Sequence, residues 1–295
     1  MNDLSVPDLP VIHFAEVCAG GALSEESKVA ILHDRVALGD LMIVADGIGE
    51  YSGGEVASRM AVDHLYAYLA ALPPDYPADD ALRGAAARAN ASIMMAASAP
   101  GSPHERMGSS VVIALVRQEG DLIYTWLGHI GNNRAYLLRA DRLHRITTDH
   151  SAAQALLNRS LITPEEALSH PDTSVPTRGL GLQPHVEIDI EQLPLAVGDT
   201  LLLCSYGLWG FVPEQDIQAA AAADTVDNAA SILLEQALSA GNQETVGIEI
   251  VRLSPPDPIA PQSKHPYAAA KWIVALFVAV IVSLCILGYF ALWYE

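Results

Sequence analysis

Residues 44 to 62 (VADGIGEYSGGEVASRMAV) run from an apolar stretch through a glycine-rich turn holding Asp46 and into a helix-forming stretch. Such an arrangement can aim one carboxylate and unpaired backbone groups at a cation or a phosphate, because a tight turn and a helix N-terminus both leave polar backbone atoms without partners. An ordinary strand, turn and helix connection reads the same way, so the pattern alone leaves both open. Gly47, Gly49, Gly53 and Gly54 lie in this turn, and at least one is expected to sit where a Cβ is excluded. The ten histidines, His104, His129, His144, His150 and His170 among them, show no HxxH or HExxH spacing and there is no CxxC, so no zinc site is expected. Cys18, Cys204 and Cys285 are widely separated, and Cys204 lies in an apolar run as a packing residue. Asp149 and His150 read as a turn or helix cap, with Thr147 or Thr148 and Asp149 opening a helix at Ser151. Arg134 and Arg178 could meet phosphate, although arginines in ordinary ion pairs are commoner.

The elements that must position these residues follow from hydrophobic periodicity. Strands are predicted at 41 to 46, 109 to 117, 121 to 130, 134 to 140, 200 to 205 and 246 to 253. Helices are predicted at 54 to 72, 79 to 97, 151 to 158, 164 to 169, 214 to 222 and 227 to 240. The three central strands follow one another closely enough to form consecutive hairpins, which points to antiparallel sheet in a layered α+β fold and away from a doubly wound parallel one. No internal repeat is present.

The 295 residues are long enough to bury a substantial core. Asp and Glu number 35 against 16 Lys and Arg, a formal net charge of -19, which disfavours nucleic-acid binding because neutralising phosphates takes clustered basic residues. The cysteine usage fits a reducing compartment. Residues 272 to 293 (WIVALFVAVIVSLCILGYFALW) carry no charge and are long enough to cross the ~30 Å hydrocarbon layer, so a transmembrane helix is expected. Trp272 at one end and Tyr289, Trp293 and Tyr294 at the other suit the two interfaces, while Lys264 and Lys271 on the N-terminal side place the preceding domain in the cytoplasm. The expected organisation is a domain over 1 to 253, a proline-rich linker over 254 to 271 and a single-pass tail anchor over 272 to 293, with no signal peptide at the N-terminus.

Taken in order, several segments resemble the metal-dependent type 2C protein serine/threonine phosphatases, the PPM family. DGIGEYSGGEVAS is similar to its DGxGG…GExAS motif, and five further stretches follow in the family's order: 107 to 116, 127 to 139, 146 to 151, 177 to 190 and 201 to 217. The likeness covers roughly residues 10 to 253 and implies a sandwich of two antiparallel β-sheets flanked by helices, with two divalent ions, Mg²⁺ or Mn²⁺, held between carboxylates and a water attacking phosphoserine or phosphothreonine. Asp46 and the carbonyl of Gly47 match the family's bridging pair. Elsewhere the chain departs from the pattern. Tyr206 stands for the aspartate of DGL, Glu244 and Thr245 for the final DN, and Asn132 for the aspartate of GDSR. On a less secure register Ser24 replaces the phosphate-binding arginine, and Ser27, Lys28 and Val29 replace an acidic triplet, bringing an ammonium to a metal-facing position. Glu50, Glu25 and Glu26 are the substitutes near at hand, with Glu50 the candidate further ligand. The resemblance therefore implies Mg²⁺ or Mn²⁺ at a weak or single site built on Asp46, Gly47 and Glu244, or no metal at all. Two functions follow: a membrane-tethered pseudophosphatase that regulates or scaffolds a signalling partner, or an active phosphatase of phosphoprotein substrates with a reduced metal site.

Overall fold

The computed structural model describes residues 10 to 19, 27 to 49, 53 to 104 and 106 to 256. The expected anchor at 272 to 293 and most of the linker lie outside them, and among the described residues no helix is long and apolar enough to cross a membrane.

Among the described residues ten strands form two five-stranded sheets. One has the order β1 (Val11–Ala19), β10 (Val246–Ser254), β9 (Thr200–Cys204), β6 (Arg134–Arg139), β7 (Arg142–Arg145). The other runs β2 (Val29–Val36), β3 (Gly39–Ile48), β4 (Gly108–Glu119), β5 (Leu122–Ile130), β8 (Asp189–Leu195). Every neighbouring pair is antiparallel. The central strands are apolar on both faces because both faces are covered. In β3, Met42 and Val44 join Val112, Ala114, Leu201, Leu203 and Val251 between the sheets, while Leu41, Ile43 and Ala45 face the other way.

Helices α1 (Gly53–Ala70) and α2 (Ala78–Ala97) cover that second face. Their buried positions Ala57, Ala61, Leu65 and Leu69, and Ala81, Ala85, Ala89 and Ile93, recur every four residues, and the alanines let the helices approach the sheet closely. On the opposite side α6 (Glu214–Ala221) and α7 (Val226–Ser239) pack Ile217, Ala229 and Leu233 against Ile248 and Ile250 of β10. The short α5 (Tyr206–Trp209) follows β9 directly, and α3 (Ala152–Asn158) and α4 (Pro164–Ser169) lie between β7 and β8. This is the expected two-sheet antiparallel sandwich flanked by helices.

Two local expectations are corrected. Strands β4 and β5 form the expected hairpin, but β5 and β6 do not pair: the chain leaves one sheet at Gly131 and enters the other at Arg134, so β5 pairs with β8 and β6 with β9. Gly131, at φ 101°, makes the crossing in a conformation other residues rarely adopt. The cap of α3 is Ser151 itself, whose hydroxyl accepts from the Gln154 N–H at 3.1 Å, while Thr147 Oγ1 accepts from Ala135 N and Asp149 pairs with Arg134.

Candidate active site

The end of β3 delivers Asp46 and Gly47 to one rim of the sandwich. The register sets Asp46 opposite Val29 of β2 and Ser110 of β4, and the Gly47 N–H donates to the Lys28 carbonyl at 2.8 Å. A Cβ on Gly47 would overlap the Gly54 carbonyl, so this glycine is required for the first turn of α1 to close against β3. Tyr206 arrives at the start of α5 and Glu244 from the loop before β10. Asn132 comes from the crossing between the sheets. Together with Lys28, Ile48, Gly49, Ser110 and the 174 to 176 segment, these residues line a cavity of about 330 Å³.

The electrostatics of the cavity are dominated by Asp46. Burial first, then the like charge of Glu244, push its carboxyl up to about 7, while Lys28 and the Tyr206 backbone N–H oppose the shift. Glu244 is exposed, and its position is held from below: its N–H donates to Asn242 Oδ1 at 2.6 Å, and Asn242 Nδ2 donates to the Gly207 carbonyl at 2.9 Å. Tyr206 packs edge-on against Trp209 with ring centroids 4.9 Å apart, and burial and Glu244 raise its phenol, so it remains protonated. The Asn132 amide is engaged at both ends, accepting from Ser110 Oγ at 2.9 Å and donating to the Ser174 carbonyl at 3.1 Å.

Asp46, Gly47, Lys28, Asn132, Tyr206 and Glu244 are thus brought to one place. Ser24 and Glu50 lie outside the described residues. Ser110, Asn242 and the 174 to 176 segment were not singled out by sequence, because serine, asparagine, valine and proline there carry no spacing that marks a ligand. Cys204 is a packing residue as expected, fully buried with its thiol pushed up to about 12 by burial. Arg134 and Arg178 do not line the cavity. Arg134 is buried, doubly bonded to Asp149 and stacked 3.4 Å over the Trp209 ring, and Arg178 pairs with Asp189 at 3.0 Å.

The donor set decides what metal fits. Hard divalent cations take oxygen ligands. Among the described residues the cavity offers the carboxylates of Asp46 and Glu244 with the Gly47 backbone, faced by the Lys28 ammonium and a neutral phenol. That set fits one divalent ion completed by water and does not neutralise two.

A second cluster was not expected from spacing: ligand atoms of His129, His150 and Asp189 lie within 4.8 Å of one another. Its hydrogen bonds argue against a metal. His150 Nδ1 accepts from the Gly131 N–H at 3.0 Å, so in the neutral ring Nε2 carries the proton and donates to Asp189 at 3.1 Å. His129 stacks on this ring at 4.5 Å and its Nε2 donates to the Thr148 carbonyl at 2.9 Å. The cluster clasps the crossing at Gly131 to the start of β8.

The fold and the collinear segments define a class, and comparison with known proteins agrees. The family model described as Protein phosphatase 2C matches residues 30 to 240, and the chain belongs to that family. It is similar to the serine/threonine phosphatase Stp of Listeria innocua, with 32% identity over 215 residues that span 72% of this chain and 83% of that protein. The crystal structure of the Mycobacterium tuberculosis serine/threonine phosphatase PstP/Ppp superposes with a TM-score of 0.74 at 30% identity, covering 83% of this chain and 100% of that one. The catalytic domain of the phosphatase PstP in complex with 2 manganese ions gives a TM-score of 0.72 at 28% identity, over 83% of this chain and 99% of that one.

Proposed function

We propose that this chain is a metal-dependent phosphatase of phosphoserine and phosphothreonine in proteins, working with one Mn²⁺ or Mg²⁺ where the manganese-bound relative holds two. The observation that carries the reading is the convergence of Asp46, Gly47 and Glu244 on one 330 Å³ cavity at the rim of a Protein phosphatase 2C sandwich. Of the two functions implied by the sequence, the relatives' names support the active one.

Asp46 and Glu244 would hold the ion, with the Gly47 backbone beside them. Such an ion polarises a phosphoryl oxygen and activates water for attack. Asn132 acts as a brace, since its two hydrogen bonds fix the Ser110 and Ser174 walls. Tyr206 closes one side, its ring held by Trp209 and Phe211. With fewer cationic charges than a two-ion site, less of the charge developing on the phosphoryl group is stabilised, so turnover is expected to be slow. The test is phosphate release from a phosphothreonine peptide with Mn²⁺, compared with Asp46→Ala: release by the parent chain that the variant lacks supports the reading, and equal rates refute it.

A second reading, a catalytically impaired domain that binds a phosphorylated signalling partner without turning it over, is favoured by one observation: Lys28 and Tyr206 occupy the cavity beside Asp46. Binding of the phosphopeptide without release distinguishes it. Tethering to a membrane by 272 to 293, with the domain on the cytoplasmic side, belongs to both readings and is supported by the uncharged apolar run and by Lys264 and Lys271.

A further inference from the structure

Lys28 is the feature of the cavity to which neither reading assigns a role in binding. Its backbone is pinned on both sides, the carbonyl accepting from Gly47 N at 2.8 Å and the N–H donating to Thr245 Oγ1 at 3.3 Å. The side chain therefore starts from a fixed point between the end of β3 and the start of β10. It runs over the first turn of α1, where its Cδ lies 3.5 Å from the place a Cβ of Gly54 would occupy. A cation beside a helix N-terminus gains nothing from the helix, whose unpaired N–H groups are themselves positive there. Lys28 is thus the cation that lines a cavity whose described carboxylates are Asp46 and Glu244.

The charges indicate what completes the set. Counted as ionised, the two carboxylates and one ammonium sum to -1; one divalent ion brings the cavity to +1 and a bound phosphoryl dianion takes it to -1, so the Lys28 ammonium supplies one of the two positive charges that a second divalent ion would bring. An ammonium is a compact point charge with three donors on a flexible stem, suited to phosphoryl oxygens without demanding a fixed geometry.

We propose that Lys28 stands in for one of the family's two divalent ions, its ammonium binding the phosphoryl oxygens of a phosphoserine or phosphothreonine while a single ion sits with Asp46, Gly47 and Glu244. The role rests on the reading of the cavity as a phosphoryl site. It gives Lys28 opposite effects on the two ligands, because the ammonium repels a divalent cation and attracts a phosphate.

The experiment is calorimetric titration of the full chain in a mild non-ionic detergent, for the parent, Lys28→Met and Lys28→Arg. One series uses Mn²⁺ alone and the other phosphothreonine in the presence of EDTA. Lys28→Met is expected to bind Mn²⁺ about tenfold more tightly and phosphothreonine about tenfold more weakly, the size set by one nearby unit charge at intermediate dielectric. Lys28→Arg keeps the charge and should keep the phosphothreonine affinity within about threefold. Unfolding midpoints taken in parallel show that each variant is folded, and Lys28→Gln, which also removes the charge and is expected to shift the two affinities in the same opposite directions, carries the test if the methionine variant is not. Parent-like affinities in Lys28→Met, or a shift of both ligands in one direction, overturn the role of Lys28 while leaving the site intact. A parent chain that binds neither ligand overturns the reading of the cavity and this proposal with it.

Discussion

Glu249 sits on β10 with no exposure to solvent, opposite Glu16 of β1 and Leu203 of β9, and neither of its carboxylate oxygens has a hydrogen-bond partner. Burial first, and then the like charge of Glu16, push its carboxyl from the ordinary 4.5 up to about 9. A raised folded value means that the native chain binds more protons than the unfolded chain between those two values. The contribution of Glu249 to stability is therefore fully present below pH 4.5 and is lost as pH rises toward about 9. Each pKa unit is worth about 1.4 kcal/mol, so at pH 7.5, three units above the unfolded value, up to about 4 kcal/mol has been lost. Glu249→Gln keeps the shape and removes the ionisation, but leaves a buried carboxamide without partners at a cost of about 1 to 3 kcal/mol. The expected result is a net gain of roughly 2 kcal/mol at pH 7.5 and a net loss near pH 4.5. Urea unfolding followed by circular dichroism from pH 4.5 to 9, on parent and variant, reads the difference directly. Parallel pH slopes in the two proteins would refute the reasoning, because Glu249 would then ionise alike in the folded and unfolded chains.

His150 is depressed to about 4, by burial and then by the neighbouring His129, so its contribution is full above about 6.5 and lost as pH falls through about 4; His150→Asn should flatten the acid side of the stability profile, removing on the order of 2 to 3 kcal/mol of pH dependence. Gly47→Ala should lower stability by roughly 2 to 4 kcal/mol in a urea titration, because its Cβ would overlap the Gly54 carbonyl and push α1 away from β3. Ser151→Ala should cost about 1 kcal/mol through loss of the α3 cap, with no change in Mn²⁺ affinity. Deleting 268 to 295 should release the domain from membranes, and a truncated chain that still sediments with vesicles after a high-salt wash would show the anchor to lie elsewhere.

The strands legible in sequence were β3, β4, β5, β6, β9 and β10, which are the six interior strands of the two sheets. The four that escaped, β1, β2, β7 and β8, are the four edges. The reason is physical. An interior strand covered on both faces reads as an unbroken apolar run such as LMIVA or VVIALV, whereas an edge keeps charges and breakers that protect it from further pairing. Thus β7 is RLHR, β8 carries Asp189, Glu191 and Pro194, and β2 ends in HDRV. The apparent hairpin of β5 and β6 misled for a related reason: a short glycine-containing link is compatible with a hairpin and with a crossing between sheets, and only the completed β5–β8 and β6–β9 ladders decide. For the site, motif order located Asp46, Gly47, Asn132, Tyr206 and Glu244, and the fold gathers them with Lys28 around one cavity. The His129, His150 and Asp189 clasp was invisible because its members lie on three separate segments, and nothing in local spacing joins residues 129, 150 and 189.

In the proposed function one divalent ion at Asp46 supports phosphoester hydrolysis. The most direct test is the initial rate of phosphate release from a phosphothreonine peptide by the full chain, measured across a Mn²⁺ titration alongside Asp46→Ala. The account predicts a hyperbolic dependence with a Hill coefficient near ~1 in the parent, one ion per site, and no release above background in the variant. A sigmoidal dependence requiring two ions, a rate that survives Asp46→Ala, or a parent chain that releases no phosphate at saturating Mn²⁺ would contradict it.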